Sequence, residues 1–169
     1  MDASRPGYTA ELLRHFADLR DGTHQRAASR EDKERLFART VELLDPYARQ
    51  ALGEINEDLL LGTGEILATG MRSDDAGADA VWSLTWPEQR DAGVSPIVLH
   101  AFFGAAFHHP HLRGGPLRDW PLNVFTEEQA AAKLSALREI AAAELHNIVF
   151  ERDYRIIPAT VQEHAHGAR

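Results

Sequence analysis

The stretch FHHPHLRGG, residues 107–115, places three histidines within four positions and follows them with an arginine and two glycines. Imidazole titrates near neutral pH and is a common ligand for zinc, copper, nickel and non-haem iron. In an extended segment residues two apart share a face, so His109 and His111 can converge on one divalent transition metal, zinc or iron. Two imidazoles are one ligand short of a metal site. No HExxH-type spacing selects the third from Glu144, His146, His100 or Asp119. His108 stands beside the pair as a candidate for acid–base work. The loop keeps three readings open: metal ligation, acid–base chemistry without a metal, and imidazoles that are solvated or bonded to backbone.

The LRGG turn (112–115) adds a second kind of chemistry. Consecutive glycine N–H groups form an anion-binding nest, and Arg113 supplies a bidentate donor for a carboxylate or phosphate. Glu144 and His146 sit in IAAAELHNIVF (140–150), a helical stretch apolar almost all round. A carboxylate buried there must be paired, hydrogen-bonded or protonated, and burial raises its pKa toward the range useful for proton transfer. Glu144 is therefore a candidate acid or base, or a structural group that pairs with Arg113 or Arg155 or caps backbone amides. His146 lies about 160° away around the helix, so the two do not form one site unaided. His100 falls on an apolar strand face with Val98 and Phe102, and Trp82 and Trp86 share a face of their own. These three are candidates for lining a substrate pocket, or simply core.

These groups need a scaffold, and the periodicity predicts one. TAELLRHFADLRD (9–21) reads as a helix with Leu12, Phe16 and Leu19 at helical spacing and Gly22 as terminator. A second helix spans 29–44, capped by Ser29 and striped by Leu36, Phe37, Thr40, Val41 and Leu44. Pro46 fits the first position of a third helix, which runs to the GTG at 62–64. Two extended runs, 65–72 and 80–87, flank an Asp/Gly-rich turn and predict a hairpin. Trp82, Leu84 and Trp86 lie on one face of it, and Val81, Ser83 and Thr85 on the other. Residues 95–107 read as a central strand, 108–125 as a long proline-rich loop, and 126–153 as one long helix. The tail is expected to be extended and then frayed from residue 158, with His164 and His166 adventitious. The fold class is α+β: N-terminal helices and a long C-terminal helix packed on a small, mainly antiparallel sheet, as one domain over 1–169 with an ordered core at 8–157.

Composition excludes several functions. The chain has no cysteine, so thiolate chemistry and cysteine-ligated metals are out, and a reducing compartment suits it. A net charge of -8, with arginines interleaved among acids, argues against nucleic acid as a partner. No apolar run spans a bilayer and the N-terminal residues lack a signal-like pattern, so a cytoplasmic location is expected. GTGEILATG has neither the Lys-Ser/Thr of a P-loop nor the context of a dinucleotide fingerprint, so no nucleotide cofactor is implied. No Gly-x-Ser-x-Gly is present. The leading expectation is a small enzyme acting on a small apolar or anionic molecule. The alternative is a non-catalytic interaction, accessory or ligand-sensing protein, as a homodimer or with another partner, using its amphipathic N-terminal helices.

Overall fold

The computed structural model describes residues 6–115 and 118–167, with side chains as far as Gln162. Two helices come first, α1 (Gly7–Asp21) and α2 (Arg30–Asp58). The strands are β1 (Glu65–Ala68), β2 (Arg72–Asp74), β3 (Gly77–Thr85), β4 (Ile97–Gly104), β5 (His111–Arg113) and β6 (Trp120–Pro121), with a short helix α3 (Pro87–Asp91) between β3 and β4. Helices α4 (Glu127–Ala132) and α5 (Leu134–Glu151), a 3-10 turn (Tyr154–Ile156) and α6 (Pro158–Gly167) complete the chain. The sheet is antiparallel throughout, in the order β1-β3-β4-β5-β6, with β2 also paired to β3. This is the expected α+β architecture.

Helices α2 and α5 cover one face of the sheet. Strict alternation along β3 and β4 sends Ala78, Ala80, Trp82, Leu84, Ile97, Leu99, Ala101 and Phe103 into that layer, where all are buried. The expected pairing of Trp82, Leu84 and Trp86 on one face holds, and both indole N–H groups find partners. Trp82 donates to Asp45 Oδ1 at 2.9 Å and Trp86 to the Ile156 carbonyl at 2.7 Å.

Several elements differ from expectation for identifiable reasons. Pro46 lies inside α2 and starts no new helix. An internal proline costs about 3 kcal/mol. The buried stripe Val41, Leu44, Ala48, Ala51 and Leu52 nevertheless stays in helical phase across it, and that continuous burial outweighs the cost. The long C-terminal helix is interrupted at Lys133, which caps both α4 and α5. The proline-rich loop is only partly irregular, because His111–Arg113 and Trp120–Pro121 extend the sheet. The tail is not extended: a 3-10 turn and α6 follow α5, and Ile156 and Ile157 join the core. The side chains of His164 and His166 lie outside the described residues.

The largest departure is α1. It ends at Gly22 as expected, with φ 67°. Its apolar stripe faces outward, however: Tyr8, Leu13, Phe16 and Leu19 are exposed, at 69%, 52%, 56% and 47%, while His15 and Asp18 are buried. Periodicity identified the helix but not the side it presents to the rest of the chain.

Candidate functional site on the open sheet face

The face opposite α2 and α5 carries the alternate residues of the same strands. Asp79, Val81, Ser83 and Thr85 come from β3, Val98, His100 and Phe102 from β4, and His111 and Arg113 from β5. The β5 alternation is a direct consequence of strand geometry: Leu112 turns into the core, and its two neighbours turn out. Register then sets His100 opposite Arg113 and Phe102 opposite His111. Directly opposed residues on one face lie within side-chain reach.

Two glycines permit this layout. Gly77 opens β3 at φ 127°, and a Cβ there would stand 2.3 Å from the Phe103 carbonyl oxygen. At Gly115 φ is 57°, and a Cβ would press to 3.2 Å from Glu144 Oε1. Arg30 fixes the far end of β4. Its guanidinium donates to the carbonyls of Phe103, Gly104 and Phe107 and lies 3.5 Å over the Phe103 ring. One arginine of α2 thus holds the point where the histidine loop leaves the sheet.

A shallow cavity of about 270 Å³ opens on this face, bounded by Asp79, His100, Phe102, Phe107 and Arg113 among others. His100 Nε2 stands 3.0 Å from Asp79 Oδ2, and Arg72 grips the same carboxylate with two N–H groups at 3.0 and 2.9 Å. These donors hold the Asp79 carboxyl below the usual range, Arg72 contributing most. An ionised carboxylate only accepts, so Asp79 fixes the proton of neutral His100 on Nε2 and leaves a lone pair on Nδ1. Arg113 lies 4.8 Å over the Phe102 ring and, among the described residues, has no carboxylate partner.

A second group of histidines stands at the β5–β6 end, under α1. The His15 and His109 ring centroids are 4.4 Å apart, His109 and His111 4.9 Å, and His15 and His111 6.5 Å. His24 is fully buried and packs 4.8 Å from the Phe125 ring. Asn123 meets His15 Nδ1 at 3.1 Å. Both ring nitrogens of His24, and Nδ1 of His109 and of His111, are buried without a hydrogen-bond partner among the described residues. Burial pulls the His24 and His109 imidazoles down to about 4, and lowers His15 and His111 as well. Among the described residues no three histidine, aspartate or glutamate side chains are grouped to hold a metal ion.

The remaining expected site residues are dispersed. Glu144 accepts from the Val98 N–H at 2.8 Å. That amide lies just beyond the last β4–β5 pair, His100 with Arg113, so Glu144 closes an open strand edge. Burial pushes its carboxyl up, and the Val98 bond partly offsets this. The 108–115 loop does approach Glu144, through Gly115. His146 is exposed and stacks on Phe150 on another side of α5, and His108 is exposed. Trp82 and Trp86 lie on the covered face, away from His100 and Arg113. Residue type and spacing alone do not single out Asp79, His15 and His24. Strand parity was the available signal for Asp79, which shares its face with Val81. No comparable signal marked His15, on the polar flank of a helix with an obvious apolar stripe. No protein-family model, curated protein or solved structure matches the chain.

Proposed function

We propose that the chain binds a small molecule with an anionic group and an apolar body on the open face of the sheet, and moves a proton on it through His100. The observation that carries this reading is the Asp79–His100 pair, 3.0 Å apart, on the same small cavity as the carboxylate-free Arg113. Arg113 would take the anionic group, Phe102 and Phe107 would pack the apolar body, and His100 Nδ1 would accept the proton while Asp79 steadies the imidazolium. Glu144 serves here as a positioning group, holding the β4 edge and the Gly115 turn. The cavity is at the small end for a ligand site, which favours a compact molecule.

The test uses benzoate and hexanoate as probes, followed by NMR of the histidine and arginine side chains. Both carboxylates are expected to perturb His100 and Arg113 and to lose at least tenfold in affinity in Arg113→Gln, which removes a charge-assisted contact. Carboxylates that bind wild type and Arg113→Gln equally, or that leave His100 unperturbed, would overturn the assignment.

A second reading, a non-catalytic protein that binds a partner or a second copy, is supported by the outward Tyr8, Leu13, Phe16 and Leu19 of α1. Light scattering tests its homodimer form: a dimer dispersed by Leu13→Glu/Phe16→Glu supports it, and a monomer at all concentrations counts against it.

A further inference from the structure

We infer that α1 is a histidine-sensed latch, closed over the sheet edge while His15, His24, His109 and His111 are neutral and released when they take up protons. This is independent of the proton-transfer reading of the open face.

The attachment of α1 is unusual in kind. A helix normally holds to its body through its apolar stripe. Here that stripe points to solvent, and the inward contacts are polar. His15 packs edge-on against His109 and meets Asn123. Asp18 holds the turn that follows α1, accepting from Thr23 Oγ1 at 2.7 Å and from the Gln25 N–H at 3.1 Å. Glu11 lies 3.7 Å from Lys133. The latch surface is therefore imidazole on imidazole, and its strength depends on those rings being uncharged.

The surrounding charges do not neutralise four imidazolium ions. Asp18 on α1 favours the charged forms of His15 and His24, and Asp119 that of His111. Lys33 of α2, buried with Nζ on the Gly22 carbonyl, opposes the charging of His24, and His108 opposes that of His109. Among the described residues none of the four rings is bonded to a carboxylate. Protonation would set the charges of His15, His109 and His111 about 4–7 Å apart in a poorly solvated space.

The sign follows from linkage. In the closed form His24 and His109 titrate at about 4, whereas a solvated imidazole titrates near 6.5. Between those values the open form binds protons that the closed form excludes, so acid favours opening. Each of these two rings multiplies the opening equilibrium by about thirtyfold between pH 7.5 and pH 5.

Hydrogen exchange in EDTA, normalised for intrinsic rates, is the direct test. Protection of the 9–21 amides is expected to fall at least thirtyfold from pH 7.5 to pH 5 while β4 and α5 hold. Unchanged protection of 9–21, or an equal loss in β4 and α5, would overturn the latch. His24→Leu keeps an apolar contact with Phe125 and removes one titrating ring, so it should weaken the pH response by about thirtyfold. Should that variant not fold, ring titration of the wild type decides. His24 and His109 must titrate below 6.5, together with the loss of α1 protection; titration at 6.5 with α1 still protected would refute the inference.

Discussion

The two faces of the sheet are cut from the same strands, and residues one position apart do opposite work. On the covered face Leu99 and Ala101 are fully buried, and Trp82 and Trp86 bury their rings and satisfy their N–H groups internally. On the open face, between those same residues, Val81, His100 and Phe102 are half-buried, and Asp79, His100 and Arg113 meet at a cavity. Parity along a strand thus separates stability from chemistry. Substitutions on one face should be read in the unfolding free energy, and those on the other in ligand and proton behaviour.

The largest effect belongs to the covered face. Trp86→Ala removes a fully buried indole and leaves the Ile156 carbonyl without its donor. A loss of about 3–5 kcal/mol in urea unfolding is expected. A cost below about 1 kcal/mol would mean that this layer is not the structural one, and the contrast between the faces would fail.

Glu144 tests the seam between the faces. Glu144→Leu orphans the Val98 N–H and should cost about 1–3 kcal/mol. Glu144→Gln keeps an acceptor and removes the titration, so its stability should stay within about 0.5 kcal/mol of wild type at pH 7. Because burial raises the Glu144 carboxyl in the fold, the wild type loses stability as pH rises through that folded value, and Glu144→Gln should not. If the two substitutions cost the same, the Val98 bond is not what holds the strand edge.

What the sequence made legible follows the same division. Period-two alternation gave the faces of β3 and β4, the Gly22 terminator gave the end of α1 and the Ser29 cap gave the start of α2, because those signals are local. Pro46 inside α2 was not legible, since the outcome depends on a buried stripe supplied by the sheet. The inverted α1 was not legible either: its burial is decided by His109, His111 and Asn123, about a hundred positions away. Of the candidate site, His100 and Arg113 could be named from residue type. Their shared face required the β4–β5 register, and Asp79 entered only through the β3–β4 register.

A smaller effect on stability, and a sharp one on chemistry, is expected at Asp79. Its bonds to Arg72 and His100 lie in a partly solvated site, so Asp79→Asn should cost about 1 kcal/mol or less. The same substitution removes the obligate acceptor that fixes the His100 proton. In ¹⁵N spectra wild-type His100 should be the Nε2–H tautomer when neutral, and the variant a mixture. A wild-type ring already protonated on Nδ1 would dissolve the dyad and, with it, the proton-transfer role.

The smallest effect should come from Leu67, which lies opposite Ser83 on the open face and is 51% exposed. Leu67→Thr introduces a β-branched, strand-compatible residue and removes little buried area, so a change within about 0.5 kcal/mol is expected. Both measured stabilities should be independent of protein concentration. A second copy covering this face would reverse both results, because Leu67 would then be interfacial and unfolding would follow mass action. The cavity beside His100 would in that case be bounded by two chains, and Arg113 would have to be reassigned from a small anion to a carboxylate of the neighbouring copy.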